Sequence, residues 1–219
     1  MVLPHGGRFV LEHRRRNRYR PRVPSRAMES THRPRDAKEL FGDLPGWWIA
    51  GGWAIDLWLG KQTREHVDLD IATLRKNQRI FWRRLEGWDL HLGTAPDVVE
   101  PWPTPGAVPT PLHAVWCRRT PTSPWAFEIL LNDSNSTDWV FRRDHSVRLP
   151  LAQIGRMTSE GIPYLVPEII LLYKAKNVRE NDERDFEAAL PSLSTEQKTW
   201  MRRALDVVHP DHAWSAKLT

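Results

Sequence analysis

Residues 50–71 read AGGWAIDLWLGKQTREHVDLDI. The run just before and into this stretch, Trp47-Trp48-Ile49-Ala50, is short, apolar and suited to a buried strand. Gly51-Gly52 interrupts it, and Trp53–Leu59 resumes with helical spacing, so the local prediction is strand, glycine turn, helix. Val67–Ala72 reads as a second strand in which Asp68 and Asp70, two residues apart, project from one face among the apolar Val67, Leu69 and Ile71. Two unpaired carboxylates side by side on a part-buried surface repel each other and lose hydration, which costs several kcal/mol unless cations compensate. Divalent metal is the obvious compensator. Carboxylate oxygens suit Mg²⁺, and two ions roughly 3.5–4 Å apart form the clamp used in phosphoryl and nucleotidyl transfer.

A site of that kind also has to hold phosphate. Gly51-Gly52, between a strand and a helix start, lets backbone amides approach a polyphosphate without Cβ interference, and the helix N-terminus adds favourable partial charge. The pair alone is weak evidence; its weight comes from its position in the strand–helix unit that precedes the aspartates. It is not a Walker loop, because no Gly-Lys-Ser/Thr follows, and it lacks the third glycine of the dinucleotide fingerprint.

Working outward, 219 residues with 40% hydrophobic content support one substantial core plus a small appended piece, and rule out disorder over most of the chain. The single Cys117 excludes a disulfide scaffold and favours a reducing compartment, hence a cytoplasmic location. No apolar run reaches the length of a membrane span, and the N-terminus lacks the apolar stretch of a secretory signal. The net charge of +5 is misleading about partners. Residues 1–27 hold eight arginines against Glu12 alone, so residues 28–219 carry about −2 and offer no groove-sized basic surface for nucleic acid. The leader is either a disordered basic arm or, since Met28-Glu29-Ser30 offers a second start, an artefact of start-codon choice.

The remaining elements follow from pattern. Asp36–Leu44 is predicted as a helix ended by Pro45-Gly46, and Asn77–Leu85 as a basic-faced helix. Thr94–Pro111, with six prolines, is predicted as a loop: a surface connection, or a lid. Leu112–Cys117 and Trp125–Leu131 are predicted to pair antiparallel. From Pro167 the chain turns helical, over Glu168–Lys176, Asp182–Leu190 and Thr195–Val208. The expected division is a basic leader (1–27), a mixed α/β body (28–165) and a C-terminal helical segment (166–219). Of the twelve tryptophans, Trp47, Trp48, Trp53 and Trp58 read as core, whereas Trp88, Trp102 and Trp139 fall near loops and are available to stack on a base or sugar.

An apolar strand, Gly-Gly, a helix and then Thr-Arg-x-His-x-Asp-x-Asp resembles the small nucleotidyltransferases related to aminoglycoside and lincosamide adenylyltransferases, within the DNA polymerase β-like superfamily. IPYLVPEIILLYKAKNVRENDERDFEAALP (162–191) resembles the helical tail of such proteins. The resemblance implies a mixed sheet with helices on one side, and Asp68 and Asp70 as ligands of two Mg²⁺ ions, with Mn²⁺ an alternative. It implies a third carboxylate from a neighbouring strand, best matched by Glu128 as ligand, general base or both. Asp133 is the runner-up, its other reading being a turn residue.

The flanking residues leave alternatives. Thr63 and Arg64 precede the metal strand, where Arg64 either neutralises leaving pyrophosphate or forms a surface salt bridge. Lys174 either reaches the triphosphate or snorkels. His66 contacts phosphate or orients Asp68. Asp56 reads as a structural acceptor, and Asp182, Glu183 and Asp185 as salt-bridge partners of Arg179 or Arg184. Arg142-Arg143 could bind phosphate, although an ordinary charged strand end is the more economical reading. Acids outside the triad, Glu100, Asp97 or Asp138, could attract a cationic antibiotic.

The expectation is thus a metal-dependent nucleotidyltransferase moving a nucleoside monophosphate, AMP from ATP, onto a hydroxyl of a small molecule such as an aminoglycoside or lincosamide, with release of pyrophosphate. The alternatives are transfer to a protein or tRNA, for which the basic leader would recruit substrate, and a non-catalytic nucleotide-binding protein on the same fold.

Overall fold

The structure, a computed structural model, describes residues 32–96 and 98–219. The basic leader and Asp97 lie outside the described residues. In chain order the regular elements are α1 (Pro34–Phe41), β1 (Trp47–Ile49), α2 (Gly51–Leu59), β2 (Asp70–Leu74), α3 (Gln78–Arg84), β3 (Asp89–Ala95), β4 (Val98–Pro101), β5 (Ala114–Arg118) and β6 (Phe127–Ser134). They continue with β7 (Asp138–Val140), β8 (Arg148–Pro150), β9 (Gly155–Met157), β10 (Pro163–Leu165), α4 (Pro167–Lys174), α5 (Glu180–Ala189) and α6 (Thr195–Val208).

The main sheet runs β4-β3-β5-β6-β2-β1-β10-β9, with β7 and β8 branching from the end of β6. It is mixed: β2 lies parallel to β6 and β1 parallel to β10, while the β1–β2, β5–β6, β3–β5 and β3–β4 contacts are antiparallel. Strand alternation splits the sheet into two unlike faces. One carries Phe127, Ile129 and Leu131 of β6 with Ile71 of β2, all buried, and is covered by α1 and α3. There Phe41 meets Phe127 edge-on at 5.6 Å and Phe81 at 5.4 Å. The other face carries Asp70, Ala72, Glu128 and Leu130.

The mixed α/β architecture is as expected, but the helices fall into two groups. α1 and α3 cover one sheet face; α2, α4, α5 and α6 pack on one another beyond β1 and β10, with Phe186 of α5 stacked on Trp214 at 4.3 Å. Helix α4 starts at Pro167, whose missing N–H costs nothing in a first turn. Helix α6 spans its predicted range because Ser194 and Gln197 cap it reciprocally.

Several boundaries differ from the sequence reading, each for a local reason. Helix α1 begins earlier, at Pro34, where Asp36 accepts from the Arg33 N–H at 2.6 Å, and it ends at Phe41. The second strand starts at Asp70 rather than Val67: Val67 is exposed, and Asp68 sits in the approach to the strand, with Leu69 accepting from Glu128 N at 3.0 Å. The proline-rich stretch is only partly loop, because Val98–Pro101 forms an edge strand on β3, where a proline removes no needed donor. Its remainder is tied down, with the buried Val108 donating its N–H to the Gln78 side chain at 2.7 Å. Among the described residues, no helix is long and apolar enough to cross a membrane.

Candidate active site

The site is assembled by the parallel β2–β6 pair. In that register Asp70 and Glu128 are direct partners, so their side chains leave the same face side by side. Asp68 joins from the approach to β2. The three carboxylates lie within one another's field. Glu128 is pushed up to about 8, first by burial and then by the charges of Asp70 and Asp68, and a hydrogen bond from Trp116, its partner on β5, opposes the rise. Asp70 is raised to about 7 by burial and by Asp68, with Lys174, Arg179 and Arg64 pulling the other way. Repulsion of this kind is what a cation relieves.

The glycine turn stands against these acids. Gly51 opens α2 at φ +59°, and a Cβ there would fall 2.2 Å from an Asp70 carboxylate oxygen. A Cβ on Gly52 would lie 2.2 Å from Arg64 Nη2 and 2.6 Å from the His66 ring. Any larger residue would displace the carboxylate, the guanidinium or the imidazole, which is why this turn needs two glycines. The first N–H groups of α2 consequently open beside Asp70.

Arg64 and Lys174 are held by the C-terminal helices. Asp185, 1% exposed, takes Arg64 in a bidentate pair at 2.7 and 3.0 Å and Lys174 Nζ at 3.0 Å. Lys174 Nζ also donates to Asp182 at 2.7 Å, and Asp182 accepts from the Arg179 backbone and side chain, both at 3.0 Å. The salt bridge expected as the alternative for Arg64 is present but enclosed rather than at the surface. The Asp182–Arg179 pairing matches expectation. The role of Asp185 in holding two cations was missed, because its partner Arg64 lies far away in sequence. The available signal was the spacing of Asp182, Asp185, Phe186 and Ala189, which puts two acids on the buried face of an otherwise charged helix.

The other flanking residues have definite places. Asp56, buried, accepts from Thr63 N at 3.0 Å and Thr63 Oγ1 at 2.5 Å, and its second oxygen meets His66 Nε2 at 2.5 Å. His66 therefore orients Asp56 rather than Asp68, and its ring lies on Trp53 at 4.3 Å. Asp133 is a strand residue of β6 rather than a turn residue, and its carboxylate pairs with Arg75 at 2.6 Å. Trp139 is fully buried with its indole N–H on Asn132 at 2.9 Å, so it is core and not a stacking platform. Trp88 and Trp102 line a separate cavity of about 750 Å³ with Trp82 and Arg83.

Three carboxyl groups set beside a glycine turn, two of them, Asp70 and Glu128, raised in pKa by burial and by neighbouring carboxylates, suit a hard divalent cation of the Mg²⁺ type. Among the described residues no three His, Cys, Asp or Glu side chains already stand at the spacing of a finished cage.

The profile of the aminoglycoside-2″-adenylyltransferase family matches residues 42–94, a segment that contains Gly51, Gly52, Thr63, Arg64, Asp68 and Asp70 but stops short of Glu128 and Lys174. No curated protein matches the chain by sequence. Among solved structures, ANT(2″)-Ia in complex with adenylyl-2″-tobramycin aligns with a TM-score of 0.50 at 16% identity, over 80% of this chain and 95% of that one. The solution structure of the antibiotic-resistance factor ANT(2″)-Ia aligns at 0.51 and 17% identity, over 77% and 86%. The lincomycin-bound lincosamide antibiotic adenylyltransferase LnuA aligns at 0.49 and 17%, over 76% and 96%. Over residues 42–94 the chain matches the aminoglycoside-2″-adenylyltransferase profile, and its fold is similar to that of the solved ANT(2″)-Ia structures.

Proposed function

We propose that the chain transfers a nucleoside monophosphate, AMP from ATP, to a hydroxyl of a small acceptor of the aminoglycoside or lincosamide kind, releasing pyrophosphate. The observation that carries this reading is the side-by-side placement of Asp70 and Glu128 on β2 and β6, with Asp68 in their field. Asp68, Asp70 and Glu128 are the residues that would hold divalent cations. Bound there, Mg²⁺ or Mn²⁺ would supply Lewis-acid charge to the phosphate oxygens.

The chain's own groups do the rest. The amides at the start of α2, opened by Gly51 and Gly52, face the phosphates. Arg64 and Lys174 set a positive field at Asp70, and the buried Asp182 and Asp185 fix where that field originates. Holding these charges in place before the reaction lowers the reorganisation needed as charge builds on the phosphoryl oxygens. In its ionised form Glu128 accepts the proton of the attacking hydroxyl, a role its position beside Asp70 allows. Thr63 acts at one remove, through the hydroxyl it donates to Asp56.

The test is incubation with Mg²⁺, each of the four NTPs and a panel of hydroxylated acceptors that includes tobramycin and lincomycin, read as adduct mass. Wild type forms an adduct with a monophosphate increment, and Asp70→Asn lowers its rate by roughly 10³-fold or more. Adduct formation that survives Asp70→Asn would falsify the site.

A further inference from the structure

Along the carboxylate face the next side chains up the strands are Ala72, two residues beyond Asp70, and Leu130, two beyond Glu128, which are again partners in the β2–β6 register. Two residues of strand amount to about 7 Å. Ala72 and Leu130 are part of the wall of a cavity of about 190 Å³ that is also lined by His113, Arg142, Arg143 and Tyr173. The cavity therefore adjoins the three acids, yet its charge is opposite.

Among the described residues neither Arg142 nor Arg143 has a carboxylate within ion-pair distance. Arg143 donates to the Tyr173 backbone oxygen at 3.0 Å, and both guanidiniums lie near the Tyr173 ring. Arg64 and Lys174, by contrast, already have carboxylate partners in Asp185 and Asp182. Burial and the adjacent Arg142 hold Arg143 below its ordinary pKa, and His113 is pushed down to about 4 first by burial and then by Arg142, with smaller contributions from Arg75 and Arg143. These are the marks of cations that lack a counter-charge. Arg142 also lines the neighbouring hollow of about 520 Å³, where Arg75 is paired with Asp133 and Arg148 adds a further cation, so the positive charge that continues outward from the cavity is that of Arg142 and Arg148.

We propose that the Arg142–Arg143 cavity is an anion subsite one side-chain step from the transfer centre, taking a phosphate or carboxylate group of a substrate. The proposal rests on the transferase reading for its placement beside the reaction. A planar guanidinium presents paired N–H donors to two oxygens of such a group, which a neutral side chain of similar shape does not. A ligand spanning both regions puts negative charge among the arginines and a metal-bridged or hydroxyl-bearing part among the acids. The tail phosphates of the nucleotide and an acidic group on the acceptor share this chemistry; in the second case the acceptor is a hydroxylated acid rather than a polycationic aminoglycoside, whose ammonium groups the cavity repels.

The test needs no turnover. The full chain without divalent cation is titrated calorimetrically with inorganic phosphate, alongside Arg142→Gln/Arg143→Gln, Arg142→Lys and the distant Arg202→Gln on α6. Saturable binding is expected in wild type and in Arg202→Gln, weakened at least about tenfold in the double glutamine variant and largely retained by Arg142→Lys. Melting curves establish that the double variant is folded; if it is not, Leu130→Phe, which fills the cavity and keeps both arginines, takes its place with the same expected loss. Absent saturation in wild type, or equal binding by wild type and the folded cavity variant, overturns the proposal. Repeating the titration with Mg²⁺ and a non-hydrolysable ATP analogue separates the two sources. Joint binding assigns the anion to the acceptor, and mutual exclusion assigns it to the nucleotide. Because phosphate binding and adduct formation are read independently, a failure of the subsite and a failure of the transferase reading are distinguishable.

Discussion

Gly51 and Gly60 form a natural control pair, and substituting each with alanine separates backbone strain from damage to the site. Both have positive φ, +59° and +69°, so alanine at either pays the left-handed penalty, roughly 1–2 kcal/mol. For a chain of this size that lowers Tm by roughly 2–8 °C. At Gly60 nothing lies within 4 Å of the added Cβ, and the cost ends there. At Gly51 the Cβ would stand 2.2 Å from Asp70 Oδ2, where ordinary contact begins at 3.4 Å, so the carboxylate has to retreat. A retreat of about 1 Å in a catalytic group costs on the order of 10²-fold in rate. The expected outcome is similar melting for the two variants, near wild-type kcat for Gly60→Ala, and kcat lower by about 100-fold for Gly51→Ala. The assays are thermal melts, initial rates of adduct formation, and the rise in Tm on adding Mg²⁺, which Gly51→Ala diminishes. Wild-type rate and an undiminished Mg²⁺ response in Gly51→Ala would refute the reasoning, since the Asp70 carboxylate would then have no need of the space above Gly51.

Three further outcomes follow from the same geometry. Asp185→Asn strips the shared anion from Arg64 and Lys174 while Lys174 keeps Asp182, so stability should fall by about 3 kcal/mol, the lower end for breaking a buried pair. A urea midpoint unchanged at constant slope would contradict this. Asp70 and Glu128 titrate near 7 and 8, above their ordinary values of 3.8 and 4.5, so the folded chain holds protons that the unfolded chain has already released. Without metal, stability therefore declines as pH rises from about 5 to about 8, Mg²⁺ opposes the decline, and Asp70→Asn flattens it; Tm profiles with and without Mg²⁺ decide. Phe186→Ala removes a fully buried ring stacked on Trp214 and should cost about 3–5 kcal/mol in chemical denaturation, a loss below about 1 kcal/mol being inconsistent with that packing.

The centre of the fold was legible because it is built from local signals. Strand, glycine pair and helix are contiguous, Phe127–Ser134 has an acid among apolar residues, and helix α6 carries its own cap. What escaped depends on partners distant in the chain. Strands β9 and β10 have three residues each, too few for a period to register, and are strands only because β1 offers an edge. The β3–β4 hairpin hid behind DLHLGTA and a proline-rich continuation, whose polarity resembles a loop. In the candidate site, residue types and spacing singled out Asp68, Asp70 and Glu128, but they could not supply the register that sets Asp70 opposite Glu128. The same limit applied to Asp185, whose spacing announced burial while its partners on two other segments stayed hidden.

The position of β10 bears on how this chain acquires its structure. Strand β1 gains one neighbour, β2, soon after it is made, but its other neighbour brings Tyr164 to Ile49 from more than a hundred residues downstream. Closing so long a span is slow relative to forming the nearby hairpins. Throughout that interval during synthesis the Trp47–Ile49 ribbon has one bare flank, an adhesive edge for any other extended segment. Fragments truncated before residue 163 keep that flank permanently, so precipitation is the expected behaviour of shortened forms, however well their earlier segments fold.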